Sequence, residues 1–123
     1  MQGYFPWFYL SPQGRVGRRP FWLYFFLPAV VLGVVLGAHA MSQSRQGMAP
    51  SPFVLPLVPL LLWSAIAVLV KRLHDIGASG WWVVVAFVPL LNYIAVVVFG
   101  CWPGQRGDNR YGSDPRAPGT TAA

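Results

Sequence analysis

Three long, nearly charge-free apolar stretches constrain this chain of 123 residues more than any other feature. They cover 21–40, 53–70 and 81–102. Each has about the length that a helix needs to cross a hydrocarbon core of ~30 Å. Composition agrees: 55% of residues are hydrophobic and 10% are charged, against roughly 25% charged in a soluble domain. The expected fold class is therefore an all-α integral membrane protein, a bundle of three transmembrane helices in one domain. Residues 1–20 read as an interfacial aromatic and basic segment, because Trp7 and the nearby tyrosines favour the headgroup level. Residues 103–123 read as a polar, turn-rich tail, with a frayed end from Arg116.

Nine Lys and Arg stand against three Asp, giving a formal charge of +6. In a soluble protein that balance would point to nucleic acid. Here the basic residues flank the apolar stretches, so the expected partner is the bilayer with its anionic headgroups, and nucleic acid is excluded. Arg15, Arg18, Arg19, Lys71 and Arg72 fall on one side of a three-span chain, which places the N-terminus in the cytoplasm. Arg18-Arg19 and Ala38-His39-Ala40 together resemble an export signal, but the apolar run is longer than the 7–15 residues of a signal core. Retention of this segment is expected.

The second span has Pro56 and Pro59 in its first turns, where a missing N–H matters least. It should run past Val70 and stop at Gly77, a natural left-handed cap. Ser79 should then cap the next helix, with Trp81 and Trp82 anchoring the turn in the interface. The third stretch carries Pro89-Leu90-Leu91-Asn92 at its middle. A kinked span is favoured over a re-entrant hairpin, because the arms of a hairpin would be too short to cross. In the first span Pro28 should kink the helix. Ala29, Gly33 and Gly37 line one face at the small-residue spacing that lets helices approach closely. The expected use is packing against the protein's own second or third helix.

Three ordered blocks carry a family resemblance. They are Gly14-Arg15…Arg18…Phe21-Trp22, then Arg72-Leu73-His74-Asp75…Gly77…Ser79-Gly80-Trp81-Trp82, then Pro103-Gly104…Gly107…Asn109-Arg110-Tyr111-Gly112…Asp114-Pro115. Together they resemble the small bacterial inner-membrane family called domain of unknown function 805. The resemblance implies a bacterial cytoplasmic membrane and a compact bundle of spanning helices, and it carries no activity to transfer. Pro20 stands where the family usually has a charged residue.

Little in the sequence points to chemistry. His74 and Asp75 are adjacent, so on a helix they point about 100° apart and form no dyad. His39 and Cys101 share the outer face of a three-span chain, short of the three or four ligands of a zinc site. Cys101 itself reads as a small buried apolar residue. No catalytic residue, metal or cofactor is expected. The residues singled out are structural: Arg15, Arg18, Arg72, His74, Asp75, Trp81, Trp82, Asn109, Arg110 and Tyr111. Asp75 should accept a bond from Arg15 or Arg18, tying the N-terminal segment to the turn after the second helix. The expected function is a non-enzymatic accessory subunit or scaffold that packs against a larger membrane protein. The alternative is a homo-oligomeric channel or transporter component.

Overall fold

A computed structural model describes residues 4–118, giving only the backbone of Tyr4 and Phe5. Four α-helices and one 3-10 helix follow each other along these residues: α1 (Tyr4–Leu10), α2 (Arg18–Arg45), α3 (Leu57–Ile76), the 3-10 helix Gly80–Phe87 and α4 (Leu91–Cys101). No strand occurs among the described residues, only one isolated bridge between Asn109 and Gly112. The chain is thus all-helical, and α2 and α3 are each long and apolar enough to cross a membrane.

α2 passes through a π-helical turn at Phe21–Phe26, where Leu27 N–H bonds the Trp22 carbonyl five residues back. Pro28 follows directly. Having no N–H, it leaves the Tyr24 carbonyl without its usual donor in the next turn. The Tyr9 hydroxyl donates to that carbonyl instead. The helix continues through Pro28, and the carbonyl that the proline leaves is the point at which α1 docks on α2. Lys71 donates to the carbonyls of Trp7 (2.6 Å) and Phe8, and the Trp63 indole donates to Leu10 O at 2.8 Å. These carbonyls lie in the last turn of α1, where a helix runs short of donors of its own; Trp7 O also accepts from Ser11 N–H at 3.3 Å. A helix of seven residues is too short to persist alone, and the donors from α3 hold it in place.

α3 ends as its sequence predicts. Gly77 is left-handed (φ 87°), Ala78 N–H bonds Leu73 O at 2.9 Å and Gly77 N–H bonds His74 O at 3.1 Å. This double bond pattern satisfies two of the free carbonyls at the helix end. Ser79 Oγ accepts from Trp81 N–H, but the helix it caps is the 3-10 helix and not an α-helix.

The kinked helix expected over 81–102 does not form as one continuous element. The 3-10 helix stops at Phe87, Leu90 takes φ 69° and ψ −46°, and α4 starts at Leu91. Pro89 has no N–H to continue the ladder. Eight residues at a 3-10 rise and eleven at an α rise each cover about 16 Å, roughly half of a ~30 Å core. The two arms pack on each other and on α3, forming the hairpin that the sequence reading ranked second. The tail then returns to the end of α3, where Gln105 N–H bonds Asp75 O at 2.7 Å.

Burial divides the molecule. Phe8, Val16, Phe21, Val68, Leu69, Leu73, Val83 and Ala86 form one core where α1, the start of α2, the end of α3 and the hairpin meet. The rest of α2, Leu27–Arg45, has no buried residue. Its Ala29, Gly33 and Gly37 are exposed, and a Cβ placed on Gly33 or Gly37 would meet nothing within 4 Å. The expected packing of this stripe against the protein's own helices is therefore not made.

Candidate functional site

The chemistry-bearing side chains gather at the end of α3. Its last turns point Lys71, Arg72 and Asp75 inward, all three fully buried. Arg72 and Asp75 are three residues apart, one turn along the same helix face, and Arg72 Nη1 lies 2.5 Å from Asp75 Oδ2. From the segment before α2, Arg15 Nε and Nη2 donate to Asp75 Oδ1 at 3.1 and 2.9 Å. From the tail, Arg116 Nη1 donates to Oδ2 at 3.1 Å and Nη2 to Oδ1 at 3.3 Å. One carboxylate thus receives three guanidinium groups. Planar guanidinium forks suit this arrangement, because each can donate twice in a fixed geometry.

The remaining donors end on main-chain carbonyls. Arg72 Nε reaches Phe99 O (2.8 Å), Nη1 reaches Val16 O (3.1 Å) and Nη2 reaches Trp102 O. Trp22 Nε1 donates to Gly100 O at 3.1 Å. Arg72 and Trp22 together cover the carbonyl end of α4. Arg15 reaches Gly107 O (2.6 Å) and Gln105 O (2.5 Å) in the tail. Among the described residues no buried side-chain nitrogen or oxygen lacks a hydrogen-bond partner. That matters because an ion pair removed from water is favourable only when the other polar atoms around it are satisfied.

His74 sits on the adjoining face. Its Nδ1 donates to Gly14 O (3.1 Å), and its ring stacks on Tyr111 with centroids 3.9 Å apart and planes 2° from parallel. Arg110 lies over the other partner of this stack, 4.7 Å from the Tyr111 ring centre. Asn109 Nδ2 donates to His74 O at 2.9 Å. The third sequence block therefore folds over the second, and the first is bonded under both. Gly104 makes the fit possible, since a Cβ there would come 2.0 Å from Asp75 Oδ2.

Of the residues singled out from sequence, Arg15, Arg72, His74, Asp75, Asn109, Arg110 and Tyr111 meet here. Arg15 makes the expected bond to Asp75. Arg18 does not; its side chain is exposed at the start of α2. Trp81 and Trp82 lie exposed beside the cluster. Arg116, read as frayed, is instead a partner of Asp75. Sequence reasoning also missed Gly104, Gln105 and the capping role of Lys71. Cys101 is exposed and lies beside Arg18, Arg19 and Trp22, which overturns both its expected burial and its expected place on the face of His39. No group of three His, Cys, Asp or Glu that could hold a metal occurs among the described residues.

Comparison with known proteins places the chain in a family. The model for "Protein of unknown function (DUF805)" matches residues 9–113, which cover the first two blocks and the third as far as Gly112. Inner membrane protein YhaI of Escherichia coli K12 is 32% identical over 108 residues, covering 88% of both chains. Inner membrane protein YhaH of the same organism is 30% identical over 111 residues, covering 88% of this chain and 89% of its own. An uncharacterized protein of that strain, YiiR, is 32% identical over 85% of each chain. No solved structure matches. With its three blocks joined around Asp75, the chain belongs to the DUF805 family of small inner-membrane proteins of unknown function.

Proposed function

We propose that the chain is a non-enzymatic membrane scaffold, an accessory subunit that packs against a larger membrane protein. In this reading α2 and α3 span the bilayer, and the 3-10 helix and α4 form a re-entrant hairpin. Both termini are then cytoplasmic. The charge pattern supports this topology. With the tail beside Asp75, eight basic residues (Arg15, Arg18, Arg19, Lys71, Arg72, Arg106, Arg110 and Arg116) lie inside, and Arg45 alone lies outside. That asymmetry is the one the positive-inside rule favours.

The observation that carries the scaffold reading is the contrast in use of side chains. Asp75 and Arg72 are sealed and fully bonded, which suits a structural clamp and not an acid–base pair open to substrate. The Ala29–Gly33–Gly37 face meanwhile stands open at the spacing used for close helix contacts. Affinity capture of the tagged chain from native membranes in mild detergent tests it. A stoichiometric larger membrane protein, lost on Gly33→Leu and Gly37→Leu substitution, is the expected result. Capture of the chain alone would overturn the reading.

One feature favours the channel alternative. The break at Pro89-Leu90 leaves Asn92 exposed beside a non-helical turn, and transporters place such breaks at their substrate sites. Solute flux in liposomes containing a homogeneous oligomer would establish that alternative. Reporter fusions after Ala123 test the topology, with activity expected from a cytoplasmic reporter only.

A further inference from the structure

Two hollows open on one flank of α2. The outer one, about 620 Å³, is lined by Arg18, Arg19, Trp22, Leu23 and Cys101. The inner one, about 510 Å³, lies between α2, α3 and the hairpin, with Phe26, Ala29, Val30 and Val96 in its walls. Trp22 lines the first and Phe26 the second, and their rings meet edge to face 4.7 Å apart. The outer hollow is cationic and the inner one is apolar.

No ion pair among the described residues neutralises the charges at the mouth. The chain has three acidic residues, Asp75, Asp108 and Asp114. Asp75 is held by Arg15, Arg72 and Arg116, and Asp114 by Arg116. Neither Arg18 nor Arg19 pairs with a carboxylate among the described residues. The two guanidinium groups are therefore open to an anion from outside the chain. Ten helical residues separate Arg19 from Ala29, about 15 Å of rise. That distance is about half of a ~30 Å hydrocarbon core, the depth of one leaflet. A ligand that fits both hollows therefore has an anionic group at the headgroup level and an apolar chain reaching toward the middle of the bilayer.

We propose that this flank is a binding site for one anionic phospholipid. Its phosphate lies between Arg18 and Arg19, which can donate paired N–H groups to phosphate oxygens. One acyl chain passes over Trp22 and lies in the Phe26–Ala29–Val96 cleft. The site rests on the reading of α2 as a spanning helix. Membrane insertion is measured separately, by carbonate washing, so that failure of the site and failure of the topology are distinguishable.

The test uses the full chain in mild detergent, titrated with phosphatidylglycerol or phosphatidylcholine and followed by native mass spectrometry. One phosphatidylglycerol per chain should survive conditions that strip phosphatidylcholine. The Arg18→Gln/Arg19→Gln double variant should weaken it by about tenfold or more, the loss of charge-assisted bonds. Ala29→Phe should expel it with both arginines intact, because the new ring fills the cleft. All three positions are exposed, and circular dichroism checks that the variants fold; Val30→Trp replaces Ala29→Phe if the latter does not. Equal retention of phosphatidylcholine would overturn the proposal. So would unchanged phosphatidylglycerol binding in the double variant or in the cleft variant.

Discussion

The two ends of the helix pair are built on opposite principles. At the end of α3, bonding is polar and specific: one carboxylate, three arginines and a ring of main-chain carbonyls. Along the outer part of α2, from Leu27 to Arg45, nothing is buried, and from Ala29 to Ala38 the surface is Val, Leu, Ala and Gly. The difference follows from the solvent. Lipid tails are as apolar as leucine, so burying apolar surface between helices gains little there. Hydrogen bonds and ion pairs at the membrane surface supply the specificity that a hydrophobic core supplies in water. The outer part is left uncovered by the described residues of the chain.

Substitutions sharpen this contrast, and the largest effect belongs to Asp75. Asp75→Asn leaves Arg15 and Arg72 buried without a counter-charge, and should cost about 3–5 kcal/mol, read as a lower melting temperature in detergent. Adding Arg15→Gln to that variant should cost little more, because the bond is already gone; fully additive losses would break the picture of one shared knot. Next comes Gly104→Ala. The new methyl would lie 2.0 Å from Asp75 Oδ2, so the tail must lift, at about 1–3 kcal/mol. Protease sensitivity at Arg106 and Arg110 should rise with it. Lys71→Met removes the ammonium donor to the Trp7 and Phe8 carbonyls and should cost about 1–3 kcal/mol. Increased hydrogen exchange confined to Tyr4–Leu10 would show that the loss is the docking of α1. Arg116→Gln is the smallest change at this end. Its side chain is 40% exposed, and an ion pair with one exposed partner contributes about 0–1 kcal/mol. If Gly33→Leu on the outer part costs more than any of these, the division drawn here between the two ends is wrong.

Much of the polar end is written locally. Gly77 stops α3 because it is left-handed, Ser79 caps the next segment, and Arg72 reaches Asp75 because three residues make one turn. The bond from Arg15 follows from a single acidic residue facing several basic ones. The hairpin is not written this way. A run of apolar residues around Pro89 is equally compatible with a kinked span and with two half-length arms, and local propensity does not separate them. The signal that bears on it is global: the tail arginines sharpen the charge asymmetry only if the chain turns back. Arg116 was missed for the same reason, since its partner lies 41 residues away and becomes visible only once the hairpin is drawn. The small-residue stripe fails differently. Its spacing marks a face capable of close approach, and carries no information on which chain supplies the other surface.

The contact between Arg116 and Asp75 also gives biosynthesis an order. The chain emerges N-terminus first, so Arg15 and Arg72 are available to the carboxylate before the hairpin exists. Neither hairpin arm is long enough to enter the bilayer as an independent span. The hairpin must settle against helices already in place, and the third guanidinium arrives after it. In the proposed topology, a chain stalled before Arg116 would carry its spanning helices with the clasp still open, so the closed cluster around Asp75 would mark a molecule whose hairpin is in place.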